Sequence, residues 1–511
     1  MHDLLLRDGT VHDGLGGPPR RADVAIADGR VVAVGHDLGP VRRVIDVSGL
    51  LVSPGFVDPH SHSDTVPFLQ APQPFKLLQG VTTEIVGNCG FSCGPADPET
   101  RGLVPAELAE ASFPTLGEYL DAAEAAGPSN NLAVLAGHNT LRLAVAGMSA
   151  EITPDGLARM CELAAQSFEA GAVGLSSGLE YVPGAYADLS ELVALALVAK
   201  RWDLPYATHM RSESEGLADA LDEAITVARR AGIRLQVSHC KASGRAVHGA
   251  SAMVLDKLAQ ARRTGVDVRA DVYPYLAFGT VLVAVLPPIA CEGGEQALLA
   301  RLADPAERAA LRALAESRDT GTGVGFWREL HPSDVQILTH NDPAIEGKRL
   351  ADLGGDPWEA LCDLLRRDPH ASGVFHTMHE RDLAAFLADP LVSIGSDGGP
   401  PVGPNHPRTF GAFPTYLGTY VDKEDMPEAI RKVSSAVAAQ FGLAGRGWLG
   451  PGAIADLCVF DQDTIGHAGT YERPDVRPTG VEHVFLAGHQ VIADGEFTGG
   501  RHGRMLRRGA R

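Results

Sequence analysis

Apolar and polar positions alternate in short runs over the first 54 residues, the period of β-strands. Asp23-Val24-Ala25-Ile26 and Arg30-Val31-Val32-Ala33-Val34 flank Ala27-Asp28-Gly29, a hairpin signal. The far end of the chain reads alike, with strands expected at Ala455–Phe460, Val481–Leu486 and Gln490–Ile492. The expectation is one small β-sandwich domain assembled from residues 1–54 and 449–511 and interrupted by everything between.

From Gly55 the rhythm changes to a short apolar run followed by a helical segment. Asp188-Leu189-Ser190-Glu191 has the form of a capping box and opens a helix to about Arg201. Further helices are expected at about 217–230, closed by Ala231-Gly232, and at about 250–263. Strands Pro205–His209, Ile233–Ser238 and Val266–Asp271 lie between and after them. Alternating βα units imply a parallel sheet covered on both faces. Strand after strand here ends on a polar residue, as in a (β/α)8 barrel whose chemistry sits on the C-terminal rim. Eight barrel strands are expected to end near His60, Asn88, His138, Ser177, His209, His239, Tyr273 and Asp397, within a barrel spanning 55–448. The last gap exceeds one βα unit. It predicts an inserted lid segment at about 278–345, with further α/β elements before 390.

Composition narrows the class. The 511 residues include 44 basic and 64 acidic ones, a formal net charge of −20, which argues against nucleic acid as partner. The one basic cluster, Arg501 to Arg511, reads as a solvated tail. No apolar run is long enough to span a membrane, and the N-terminus lacks the basic start and apolar stretch of a signal peptide. Seven cysteines, an odd and sparse set, point to a reducing compartment, hence the cytoplasm.

The chemistry begins at Gly55-Phe56-Val57-Asp58-Pro59-His60-Ser61-His62. Period-two alternation points both imidazoles to one side, and two imidazoles at one spot suit zinc or a similar ion. His209 and His239 end successive strands, so they are rim neighbours. Asp397, in Ser393-Ile394-Gly395-Ser396-Asp397-Gly398, adds a carboxylate that can bind metal and take a proton from water. Together they predict a metal hydrolase.

This order of motifs resembles the amidohydrolase superfamily and, within it, the N-acyl-D-amino-acid deacylases (D-aminoacylases), over nearly the whole chain. The resemblance is carried by Gly55–Asp64, Gly87-Asn88-Cys89-Gly90, Gly137–Arg142, Thr208–Arg211, Ser238–Lys241, Tyr273-Pro274-Tyr275, Ser396-Asp397-Gly398 and His406-Pro407-Arg408. Many two-metal amidohydrolases use a carbamylated lysine after the fourth strand, but residues 174–184 contain no lysine. D-aminoacylases have a cysteine after the second strand, and Cys89 matches it. The resemblance implies a tight zinc held by Cys89, His209 and His239, and a second, weaker site made by His60, His62 and Asp397. Cys93 reads as structural, and Cys161, Cys291, Cys362 and Cys458, in helical, loop or strand-like segments, read as packing residues. The resemblance also implies that Asp397 carries the proton to the leaving amine, with Tyr181 helping to hold the oxyanion. Arg408 becomes the clamp for a substrate carboxylate, aided by Lys241 and Tyr273. The chain departs from the family pattern at Gly279, where a serine is usual, with Thr280 as the neighbouring hydroxyl. It departs again at Gly178–Pro183, more aromatic in some relatives, and at the polar run His376-Thr377-Met378-His379. The implied reaction is zinc-dependent hydrolysis of N-acyl-D-amino acids. Alternatives are another carboxylate-bearing amide, such as a dipeptide or natural-product amide, and a metal-free scaffold. The D configuration rests on the resemblance alone.

Overall fold

The computed structural model describes residues 1–96, 112–317 and 325–509. Chain-end strands come first: β1 (His2–Val11), β2 (Arg20–Ala27), β3 (Arg30–Gly35), β4 (Val41–Asp46) and β5 (Leu51–Pro54). The barrel strands are β6 (Phe56–Asp58), β7 (Val81–Val86), β8 (Asn131–Gly137), β9 (Gly174–Gly178), β10 (Tyr206–His209), β11 (Leu235–Val237), β12 (Val268–Val272) and, after the insertion, β16 (Val392–Ile394). They run parallel in sequence order, each within three residues of its expected end. The seam between β16 and β6 closes just past the strands: the Asp397 amide donates to His60 O at 2.8 Å and the His62 amide to Gly398 O at 2.8 Å. That closure sets His60, His62 and Asp397 shoulder to shoulder on the rim.

The expected helices form at Leu189–Lys200, Leu217–Ala231 and Ser251–Arg263. Asp188 caps the first by accepting from the Glu191 amide, and Gly232 ends the second in the left-handed conformation. No helix among the described residues is long and apolar enough to cross a membrane.

Both chain ends enter one nine-stranded sheet, where β17 (Leu457–Phe460) pairs with β5 and with β18 (Val481–Leu486). The sheet continues through β19 (His489–Ala493) to β20 (Glu496–Phe497). Period-two alternation gives β17 two jobs. Leu457 and Val459 join Leu6, Val24 and Val52 in the small domain's own core. Cys458 and Phe460 point the other way, into the barrel's core.

The insertion has a core of its own, built around Leu286, Leu298, Trp358 and Phe375. Its sheet is antiparallel, with β15 (Ser372–Phe375) between β13 (Phe278–Val281) and β14 (Val335–Thr339). The inserted body therefore runs past residue 345, because its central strand is supplied by 372–375.

Over the described residues 501–509 the basic C-terminus is not a free solvated tail, and Arg511 lies outside the described residues. β9 meets β8 only from Leu135 onward, leaving the edge at Leu132 and Ala133 open. β21 (Met505–Leu506) fills it in parallel register. Arg501 donates to the carbonyls of Pro67 and Gly127, and Arg504 pairs with Glu124.

Candidate metal centre and substrate cavity

Three of the expected ligands sit in left-handed backbone: Cys89 (φ 52°), His239 (φ 32°) and Asp397 (φ 48°). Such conformations are costly for residues with a Cβ and cluster where function needs them. Around Cys89 the turn is tight. The Asn88 side chain donates to Ile85 O at 2.9 Å, and a Cβ on Gly178 would lie 2.0 Å from Cys89 O, so only glycine lets the two loops pass.

Cys89 is the hub. Its Sγ lies 3.3 Å from His60 Nε2, 3.7 Å from His209 Nδ1 and 3.5 Å from His239 Nε2. Asp397 Oδ1 lies 3.4 Å from His60 Nε2 and 3.1 Å from His62 Nε2. All but His62 are buried. The structure thus brings the six expected ligands together, and donors of His60, Cys89, His239 and Asp397 lie within 4.8 Å of one another.

Three carboxylates that sequence reasoning missed stand behind the imidazoles. Glu180 Oε2 is 2.8 Å from His209 Nε2, Glu213 Oε1 is 2.7 Å from His239 Nδ1, and Asp271 Oδ1 is 3.5 Å from His60 Nδ1. In each case the carboxylate meets the nitrogen facing away from Cys89, so the other nitrogen faces the cluster. Carboxylates in this relation orient metal-binding histidines and raise their basicity.

The electrostatics fit a cation. Burial pushes the Cys89 thiol up, but the charge of His60 and hydrogen bonds from His209 and His239 outweigh it and hold the thiol well below its usual range. Burial likewise opposes charge on His62 and His209, yet Asp397 and Cys89 lift the first to about 9, and Glu213, Cys89 and Glu180 lift the second to about 10. A soft thiolate, four imidazoles and a carboxylate on one spot form a donor set suited to zinc.

Directly under this cluster is a buried polar knot. Lys76 Nζ bonds Asp58 Oδ2 at 2.7 Å and Ser396 Oγ at 2.5 Å, and lies 3.2 Å from Glu84 Oε2. Asp58 Oδ1 in turn accepts from the amides of His60 and Ser396. The knot so fixes the backbone on both sides of the barrel seam. Removing one partner of a buried ion pair strands the others. Lys76→Met is expected to lower unfolding free energy by about 3–5 kcal/mol, measured by denaturant titration.

The substrate side faces the insertion. Arg408, the first residue of helix Arg408–Thr419, places Nη1 2.8 Å from Asp397 Oδ2 and donates from Nη2 to Gly279 O at 3.2 Å. Its guanidinium lies 4.7 Å from the Tyr273 ring centre. His406 braces it: Nδ1 accepts from the Arg408 amide at 3.0 Å, which leaves Nε2 to donate to Ala277 O at 3.0 Å. Tyr471, from the loop between β17 and β18, packs edge-on against His406 at 5.1 Å and against His376 at 4.8 Å. The polar run at 376–379 makes contacts of the same kind. His376 packs on Tyr471, Thr377 Oγ1 bonds Ser243 Oγ at 2.9 Å, and His379 caps the helix Glu380–Ala388. Thr377 thus ties the insertion to a barrel loop, and His376 ties it to the loop between β17 and β18.

Tyr181, Thr280 and Arg408 line a cavity of about 220 Å³ that reaches His62, Cys89 and Asp397. Tyr181 and Thr280 join by a 2.9 Å hydrogen bond across it. Lys241 and Tyr273 do not line it. Lys241 is buried, paired with Glu213 and 2.9 Å from His239 Nδ1, while the buried Tyr273 hydroxyl has no hydrogen-bond partner among the described residues. A Cβ on Gly279 would meet nothing closer than 3.8 Å, so the position is open. Of the residues that reasoning from sequence missed, His406 lay two positions before Arg408 without a role. Glu180, Glu213 and Asp271 each follow or end a barrel strand, and that position was their only signal.

A model of the amidohydrolase family matches residues 43–492. The chain belongs to the amidohydrolase family. This amidohydrolase is 35% identical to an N-acyl-D-glutamate deacylase of Alcaligenes xylosoxydans xylosoxydans, over 99% of its own length and 97% of the relative's. It is 34% identical to a D-aminoacylase of the same organism, over 99% and 98% of the two chains. Its fold superposes with a TM-score of 0.85 on the crystal structure of an N-acyl-D-glutamate deacylase from Bordetella bronchiseptica, 33% identical and covering 99% of both chains. That crystal structure holds zinc and a phosphonate inhibitor that mimics the tetrahedral intermediate.

Proposed function

We propose that this amidohydrolase hydrolyses the amide bond of N-acyl-D-amino acids, releasing a carboxylate and a free D-amino acid. The observation that carries the reading is the placement of Arg408 beside Asp397, opposite the cysteine–histidine cluster and on the wall of one cavity. The relatives' names supply the substrate class and the D configuration.

Cys89, His209 and His239 would hold the tight zinc, and His60, His62 and Asp397 a second, weaker one. Zinc bound there supplies Lewis acidity toward the amide carbonyl and water. Asp397 accepts the proton of the attacking water and delivers it to the leaving nitrogen, which cannot depart as an anion. Its ionised state suits proton acceptance. Burial raises its pKa, but the charges of Arg408 and His60 hold it well below the usual carboxylate range. Tyr181 directs a hydroxyl toward the carbonyl oxygen, with Thr280 fixing its rotamer. Arg408 binds the substrate carboxylate with its planar fork, and the Tyr273 ring packs against its guanidinium from outside the cavity. Lys241 is better placed to fix Glu213 and His239 than to touch substrate. The seven cysteines are all free thiols, which favours the cytoplasm as the site of the reaction. The full donor set counts against a metal-free scaffold.

Arg408→Ala tests the clamp. It is expected to raise KM at least about tenfold more for an N-acetyl-D-amino acid than for its carboxamide, which has no anion to lose. Equal effects on the two substrates would show that Arg408 does not bind the carboxylate.

A further inference from the structure

Identity to relatives named for different substrates leaves the amino-acid side chain open, since 35% and 34% are equal for this purpose. The cavity is more decisive. Starting at the Arg408 contact on Gly279 O, the run 279–286 lines the same space. A substrate whose carboxylate sits on Arg408, and whose amide reaches Cys89 and Asp397, must span the interval between them. Its Cα substituent then faces this wall. The wall is apolar: Val281, Val283, Ala284 and Leu286 come from the run, with Leu338 and Pro288 beside them. Arg408 is the sole arginine or lysine among the described lining residues, and it already pairs with Asp397. His406 has both ring nitrogens engaged, Nδ1 accepting from the Arg408 amide and Nε2 donating to Ala277 O, so it offers no donor to a second carboxylate. Glu180, also on the lining, adds negative charge. Away from the metal cluster the rest of the polar lining is neutral, with Thr280, Ser372, Asn405 and Thr409, so a second carboxylate on the substrate would lose its water without a free cation to replace it.

We infer that the wall formed by residues 281–286 is a side-chain subsite for neutral, apolar D-amino acids, so that the enzyme is selective for leucine-like over glutamate- or aspartate-like substrates. This rests on the deacylase reading above. A branched aliphatic side chain fills such a wall by the hydrophobic effect, whereas an uncompensated buried anion is penalised.

The test measures released amine from the zinc-loaded full chain with N-acetyl-D-leucine, -methionine, -alanine, -aspartate and -glutamate. A parallel arm lengthens the acyl group on D-leucine. Leucine is expected to exceed glutamate by at least about a hundredfold in kcat/KM, and alanine by about tenfold or more. Ala284→Arg, at a half-buried wall position, is expected to move the leucine-to-glutamate ratio at least about tenfold toward glutamate. Turnover that favours glutamate, or that follows acyl length while ignoring the side chain, would overturn the subsite but leave the deacylase reading standing. Release from none of these compounds would overturn both.

Discussion

Cys89→Ala is expected to lose the tightly bound zinc and, with it, turnover by at least about a thousandfold, roughly 4 kcal/mol of transition-state stabilisation. The size follows from geometry. Among the described residues, Cys89 is the only donor within 3.7 Å of three different imidazoles, so no neighbour can replace its contacts. Its thiol is already held well below the usual range, so a cation meets a thiolate and needs little further proton release from sulfur. Serine at this position keeps the size but offers a hard, protonated oxygen, and should recover little. Zinc content by mass spectrometry of the purified variant, alongside circular dichroism to confirm folding, checks the claim. A folded Cys89→Ala protein with full zinc and normal rate would remove cysteine from the ligand set.

Asp397→Asn separates binding from proton transfer. The amide keeps the shape of the side chain, while Cys89, His209 and His239 are untouched, so most of the tight zinc should remain. The rate should fall by about 10²–10⁴-fold, the range of a lost general base. The substitution also frees Arg408 from its 2.8 Å partner, so affinity for the substrate carboxylate should hold or improve. A fall in kcat with unchanged or lower KM is therefore the expected signature. Near-normal kcat would show that another group moves the proton.

Much of the barrel and its rim was legible because strand periodicity and strand ends are local. The His60/His62 pair, His209, His239 and Asp397 each close a short apolar run, and parallel barrel topology brings such ends to one rim. Cys89 needed the resemblance, since a lone thiol after a strand has no spacing partner. The carboxylates behind the imidazoles were hidden for a different reason. Glu213 reaches His239 across 26 residues and Glu180 reaches His209 across 29, contacts that only the barrel's curvature creates. The resemblance implies Lys241 as a helper at the substrate carboxylate, and the fold pairs its ammonium with Glu213. The C-terminal arginines misled because charge usually marks solvent. Here their guanidiniums cap backbone carbonyls around a strand that fills an edge left open by the short β9. The insertion's antiparallel sheet was not legible because β15 returns from far downstream to pair with both β13 and β14.

The most direct test pairs N-acetyl-D-leucine with N-acetyl-L-leucine on one preparation of the full chain, first stripped by a chelator and then reloaded with zinc. Released leucine is the readout. The stripped protein is expected to release nothing, and the reloaded protein to release D-leucine while leaving the L-substrate intact. Turnover that survives chelation, or that favours the L-substrate, would contradict a zinc-dependent deacylase of D-amino acids.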